Sequence, residues 1–280
     1  MKRSGLLQNV THFLVLATLA GYFFAKPSEA ASSEWTVVEG GEVRIVAAKP
    51  QADGNIPAIL DIRLKPGWKT YWREPGASGI PPEVTIDAAG GIDFSGIRFP
   101  PPQTFDDGIV RYVGYDHSVA LPLTLKRNRP GDLALDASVF LGICKDICIP
   151  VQAALKVSLP ERLVENPLER ARIDAAVAAL PAQPDDSFKV ASAAYDPKVA
   201  TLSMDVGLPE GADPSSAEIF VAGPPGFGFG KTAISITDGG TILAKVPVKP
   251  PTSGGALKSG SVLVVVTSGD RSIETALAFD

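Results

Sequence analysis

The chain has 280 residues, 45% of them hydrophobic, with 26 Lys and Arg against 31 Asp and Glu, two His and two Cys. That length can bury a sizeable core and suits one large domain or two ordinary ones. A net charge of −5 with nothing resembling a polybasic surface excludes a nucleic-acid partner.

At the N-terminus Lys2 and Arg3 precede the apolar run Phe13–Ala25, and Pro27-Ser-Glu-Ala30 follows it. Charge, apolar run and small residues in that order predict a signal peptide over residues 1–30, cut after Ala30. An uncleaved anchor is the alternative, but the run falls short of the roughly 20 apolar residues that span a bilayer. Cleavage removes Lys2, Arg3, Lys26 and Glu29, leaving 23 basic and 30 acidic side chains and a net charge of −7. No later apolar run is long enough for a span, so the expectation is a soluble exported protein.

Beyond residue 30, Gly and Pro, 27 and 25 in the whole chain, punctuate short β-like runs. Ala58–Leu64, Ser118–Leu125 and Val151–Leu159 are examples, and their spacing and turn signals predict antiparallel sheets of a sandwich over residues 31–160. One stretch differs. Asn166 is an N-cap residue, Pro167 suits the first helical position and Glu169 the third. Ile173, Ala176, Val177 and Leu180 follow at helical spacing until Pro181 ends the run. Residues 161–184 are read as a helix over 166–180 plus the linker Pro181–Pro184. β-like runs then resume at Val199–Val206, Ala217–Ala222, Ala233–Ile236, Thr241–Val246 and Ser261–Thr267, predicting a second, smaller β-sandwich over 185–280. The expected class is all-β: two immunoglobulin-like β-sandwich domains joined by a short helix and linker. No convincing sequence repeat relates the halves.

Gly226-Phe-Gly-Phe-Gly230-Lys231-Thr232 superficially matches a phosphate-binding loop. The required first glycine is Pro225, and the segment after Thr232 reads as strand where that motif needs a helix. A turn with Phe227 and Phe229 packed or exposed is the reading instead. His117, the single histidine after signal removal, has no Gly-x-Ser-x-Gly partner and reads as structural. With Cys144 and Cys148 it supplies three metal ligands at most, at unusual spacing, so neither a metal nor a cofactor is expected.

The two cysteines sit four apart in Cys144-Lys-Asp-Ile-Cys148, after the β-run Val139–Ile143 and before Ile149-Pro150. Closing so short a loop stabilises a chain by only about 2 kcal/mol on the chain-entropy model. A pair that opens and closes as its job is the better reading, and export would put it where disulfides persist. A hairpin brings facing residues within disulfide range, but so does one helical turn, so the spacing leaves the local structure open. Lys145 favours a nearby thiolate and Asp146 opposes one.

At this motif the chain resembles the N-terminal periplasmic domain of DsbD-type thiol:disulfide interchange proteins, nearest the ScsB branch of copper-sensitivity-suppressor relatives. The resemblance extends through Pro66-Gly-Trp68-Lys-Thr-Tyr71-Trp72-Arg-Glu-Pro-Gly76-Ala-Ser-Gly79, Phe99-Pro-Pro-Pro102 and Gly114-Tyr115…Leu121-Pro122, roughly residues 35–160. It implies an immunoglobulin-like domain in the periplasm that passes electrons to oxidised thioredoxin-fold proteins, with Cys144 and Cys148 as the redox pair. It implies further that Cys148 bonds to the partner and Cys144 resolves the mixed disulfide. A cap loop shielding the pair corresponds to Phe105–Tyr112, with Asp106 and Asp107 as its acidic pair. Gly108 aligns with the cap aromatic of the best-known members, which leaves Phe105 or Tyr112 to take that part.

Those members have five residues between the cysteines; this chain has three, as the ScsB branch does. The sequence carries no membrane domain, so the expected electron donor is a separate membrane protein. Two functions compete: a relay of the protein-disulfide reductase type, and a non-catalytic β-sandwich binding or chaperone protein with a structural disulfide, linked to copper stress.

Overall fold

The computed structural model describes residues 31–76, 79–106, 108, 111–237, 241–252 and 257–279. The expected signal peptide and Asp107 lie outside the described residues. The fold is all-β and of the immunoglobulin-like sandwich type, with a single α-helix among the described residues. In chain order the first half comprises β1 (Thr36–Val38), β2 (Gly41–Ala47), β3 (Asn55–Leu64), β4 (Lys69–Tyr71), β5 (Glu83–Ile86), β6 (Ile92–Ile97), β7 (Gln103–Asp106), β8 (Arg111–Tyr115), β9 (Val119–Arg127), β10 (Leu133–Cys144) and β11 (Cys148–Leu159). Then come α1 (Pro167–Ala178) and β12 (Lys189–Asp196), β13 (Thr201–Gly207), β14 (Glu218–Ala222), β15 (Gly228–Phe229), β16 (Ala233–Ile236), β17 (Ile242–Lys249), β18 (Leu263–Ser268) and β19 (Arg271–Ala276).

One sheet runs β1-β2-β3-β9-β6 and faces a second, β11-β10-β4-β8-β7, with β5 also paired to β10. Strict alternation explains the packing of the second sheet. Leu133, Leu135, Ala137, Val139, Leu141 and Ile143 of β10 point inward, as do Val151, Ala153, Leu155, Val157 and Leu159 of β11. The even-numbered residues of both strands therefore face outward. Each fully buried Val, Leu or Ile contributes roughly 1.5–3 kcal/mol, so a register slip that turned this set outward would be prohibitive.

α1 covers the outer face of the first sheet. Asn166 caps it, its side chain accepting from the Leu168 N–H at 3.0 Å, with Pro167 in the first turn. Ile173 and Ala176 pack on Val46, Ala48, Ile59 and Ala120. The helix stops two residues short of the expected end, because Pro181 disfavours helical geometry at Leu180. Val177, expected on the inward face, is 48% exposed. A buried carboxylate sets the helix rotation: Asp61, 1% exposed, accepts from Arg172 at 3.2 and 2.8 Å and stands 3.6 Å from Arg44. Arg44 in turn pairs with Glu169 at 3.3 Å.

The second half pairs a sheet β12-β13-β17-β15, with β16 on β17, against β14-β18-β19. Phe227 packs into the core between them and Gly228–Phe229 pairs with β17, so the glycine-rich segment is strand-edged structure rather than a free turn. The expected linker is also held: the Ala182 N–H donates to the Ser272 carbonyl at 2.9 Å, and Glu274 N–H to the Ala182 carbonyl at 3.0 Å. The β14-β18-β19 sheet is buried on both faces. Ile219, Val221, Val264 and Val266 enter the second core, while Phe220, Ala222 and Val265 enter the first.

Arg172→Ala leaves the buried Asp61 carboxylate short of two hydrogen bonds and should cost roughly 1–3 kcal/mol in urea unfolding. Arg63→Ala, which breaks an exposed pair with Glu42, should cost less than about 1 kcal/mol in the same measurement.

Candidate functional site

β10 and β11 form one hairpin paired without interruption from Leu133↔Leu159 to Cys144↔Cys148. The hairpin, not a helical turn, therefore brings the cysteines together. They are joined as a disulfide with Cα atoms 4.1 Å apart, and the Lys145 N–H donates to the Ile147 carbonyl across the three-residue tip at 3.1 Å. Alternation along both strands puts the two cysteines on the outer face of the sheet. Cys144 is 7% exposed, whereas Cys148 is open to solvent. β11 is an edge strand, so among the described residues Cys148 has no neighbouring strand on its far side.

Tyr71 decides the environment of the sulfurs. Its hydroxyl donates to Cys144 Sγ at 3.0 Å and stands 2.9 Å from Cys148 Sγ. A disulfide has no hydrogen to offer and the phenol has one, so Tyr71 serves one sulfur at a time. β4 carries it to this place, pairing with β10 through Thr70↔Ile143 and Lys69↔Cys144 and with β8 through Tyr71↔Gly114. The ring lies flat enough on the hairpin that a Cβ at position 142 would come within 3.0 Å of it, which is why Gly142 is there. Burial first, and the neighbouring Tyr112 second, raise the Tyr71 pKa above the usual phenol value. The hydroxyl therefore remains a donor throughout the neutral range.

Of the segment expected as a cap, 105–112, the described residues at its two ends are paired as strands. β7 and β8 pair Phe105 with Tyr112 and Asp106 with Arg111. Gly108, with φ of 83°, takes the left-handed turn position that suits glycine, and its N–H donates to Asp106 at 3.0 Å. Alternation again sorts the residues. Phe105 and Tyr112 stack with centroids 5.0 Å apart, Lys69 Nζ lies 4.8 and 5.1 Å from their centroids, and Tyr112 meets Tyr71 edge-on at 5.8 Å. Asp106 and Arg111 take the opposite face and line a cleft of about 260 Å³ with Glu218, Lys231 and Thr232 of the second half. Among the described residues no hydrogen bond or ion pair links Asp106 to either sulfur; Asp107 lies outside them.

His117 sits apart on the surface, 3.0 Å from the Asp116 carboxylate. Among the described residues no group of three His, Cys, Asp or Glu side chains is assembled in a way that could hold a metal. No helix among them is long and apolar enough to cross a membrane. Sequence reasoning placed Tyr71 within a motif without giving it a role. The available signal was the pairing of a Gly-flanked aromatic run with Gly142 two residues before a cysteine.

Residues 36–160 match the family described as Thiol:disulfide interchange protein DsbD, N-terminal, and residues 179–280 match a Domain of unknown function (DUF8393). Among solved structures, the N-terminal periplasmic domain of ScsB from Proteus mirabilis is similar over 89% of this chain and 98% of its own, with a TM-score of 0.71 and 23% identity. At that identity the likeness is one of fold. No curated protein sequence matches the chain.

Tyr71→Phe removes a hydrogen bond that in the reduced protein would go to a charged sulfur, worth about 1.5–3 kcal/mol. Alkylation of the reduced pair at neutral pH should therefore slow roughly tenfold or more. A second expectation concerns alkali. Burial raises the pKa of Tyr115 as it does that of Tyr71. A raised folded-state value means stability is intact below the unfolded pKa of about 10 and is lost as pH rises towards the folded values. Urea midpoints should fall above about pH 10, and less steeply for Tyr115→Phe.

Proposed function

We propose, on the premise that residues 36–160 are a DsbD-type N-terminal domain of ScsB-like fold, that this chain is an exported thiol–disulfide exchange module. It takes two electrons from a reduced dithiol on a separate membrane protein and delivers them to oxidised thioredoxin-fold proteins in the periplasm. The observation that carries the reading is the asymmetry of the hairpin pair: one sulfur exposed at a sheet edge, one buried, and a single phenol hydroxyl within reach of both. Such a site suits exchange, because nucleophile and resolving thiol need different access.

In the reduced protein the Cys148 thiolate attacks one sulfur of the partner disulfide. That bond breaks, its other sulfur leaves as a thiolate, and a mixed disulfide through Cys148 remains. Cys144, deprotonated, then attacks the Cys148 sulfur. The Cys144–Cys148 bond forms, the partner's second thiolate leaves, and the partner, now reduced by two electrons, takes up two protons. A reduced dithiol donor resets the pair by the reverse sequence. The Tyr71 hydroxyl serves whichever sulfur carries charge. Phe105 and Tyr112 stand over Tyr71 as the cap that shifts when a partner docks, and Gly108 gives their hairpin its turn. Asp106 and Asp107 belong to the same cap. Residues 31–160 act as the redox domain and 185–280 as a second sandwich.

Two measurements test this. Across a dithiol/disulfide buffer series, alkylation mass spectrometry should give a reversible two-electron transition at Cys144 and Cys148. A pair that stays oxidised in millimolar reductant without unfolding would instead support an inert structural disulfide. Mixed with an oxidised thioredoxin-fold protein, reduced Cys144→Ala should accumulate a mixed disulfide through Cys148, and Cys148→Ala should accumulate little. The opposite pattern would reverse the two roles.

A further inference from the structure

Three consecutive side chains run from the sulfurs into the C-terminal half. Tyr71 reaches the disulfide. Trp72 is buried in the first core and meets Phe220 of β14 edge-on, with ring centroids 6.1 Å apart. Arg73 pairs with Glu274 of β19 at 3.2 Å, and its guanidinium lies over the Trp72 and Phe99 rings at 5.7 and 4.8 Å. Glu274 faces Val265 across the β18–β19 ladder, and Val265 is itself packed in the first core. Two elements of the C-terminal half therefore grip the residues that follow Tyr71.

Past Tyr71 few backbone hydrogen bonds hold the segment. β4 is three residues long and ends at Tyr71. Beyond it, the backbone is tied through Trp72 N–H to the Val113 carbonyl and Val113 N–H to the Pro75 carbonyl, each at 3.1 Å. Val113 belongs to β8, one strand of the cap hairpin, which would itself move when a partner docks. The contacts to Phe220 and Glu274 come from β14 and β19, outside the cap hairpin. Burial lowers the pKa of Arg73 and the Glu274 carboxylate opposes that shift, as expected of a pair held out of water.

We propose that the C-terminal half positions the redox pair: Phe220 and Glu274 hold Trp72 and Arg73, and through them keep the Tyr71 hydroxyl on the two sulfurs. The inference rests on the exchange function proposed above and assigns the C-terminal half a part in it. Phe220 and Glu274 touch no reacting atom and act as positioning residues. A hydrogen-bond donor displaced by even 1 Å loses most of its effect on a thiolate, since such bonds weaken steeply with distance and angle, at roughly 3 Å separations.

The test uses the full exported chain, reduced, with iodoacetamide alkylation followed across pH. The midpoint of that profile reads thiolate stabilisation, and the plateau at high pH reads access. Glu274→Gln keeps the shape and removes the charge. It should raise the midpoint in the same direction as Tyr71→Phe and slow alkylation at neutral pH about threefold, the size expected from a half-buried ion pair. Glu274→Asp should restore part of the rate. In the Tyr71→Phe background, Glu274→Gln should move the midpoint no further, since the group it positions is gone. Phe220→Leu supplies a second variant from the other contact, and urea unfolding of each variant shows that the fold is kept. A midpoint unchanged in Glu274→Gln and Phe220→Leu, or a shift that adds to that of Tyr71→Phe, would overturn the positioning role. Reduction of a thioredoxin-fold disulfide is assayed separately on the unsubstituted chain. Failure there would overturn the exchange function, while the midpoints would still report whether the two halves are coupled.

Discussion

The unbroken ladder between β10 and β11 governs everything else at the site. Twelve facing pairs end on Cys144↔Cys148, and the inward set from Leu133 to Ile143 makes any other register expensive. The two sulfurs meet because the sandwich core is packed, not because three residues between them favour closure. The ladder pairs the two backbones independently of the covalent bond.

The same period of two divides labour across the sheet. On β4, β7 and β8, the residues that share the outer face are Tyr71, Phe105 and Tyr112, which form an aromatic layer over the hairpin. Their neighbours in sequence, Trp72, Thr104, Asp106, Arg111 and Val113, turn the other way and line clefts shared with the second half. The aromatic layer is anchored through Tyr71 over Gly142, where a side chain would displace the ring. Lys69, which pairs with Cys144 across β4 and β10, sits against the two stacked rings, so the layer also carries a positive charge.

The two halves are not beads on a tether. β14-β18-β19 contributes one face to each core, and the residues read as a linker hydrogen-bond to β19. On the opposite side α1 closes the first sheet through Asp61 and its two arginines. Among the described residues, the face that carries Cys144 and Cys148 is consequently the side of the first sandwich that neither helix nor second half covers.

Much of this was legible in the residues. β-branched runs between Gly and Pro marked the strands at 58–64, 118–125 and 151–159, and Asn166-Pro167 marked the start of the helix, because caps and turns are local chemistry. The isolated pair at Cys144 and Cys148 stood out because nothing else competes for either sulfur, and the segment around Trp68, Tyr71 and Trp72 carried the family resemblance. What remained open was whether hairpin or helical turn joined the cysteines, since both bring residues four apart together. The side to which Asp106 points, the hydroxyl of Tyr71 on the sulfurs, and the hold of Phe220 and Glu274 on the next two residues were also closed to sequence reading. An alternating pattern says that neighbours face opposite ways. Which way is solvent, and what stands there, is set by strands paired across some 70 to 200 positions of chain, as Tyr71 is with Cys144 and Arg73 with Glu274. The sequence alone determined the elements and the chemistry available to them; the tertiary structure decided which side chains share a face, because that depends on long-range register and packing.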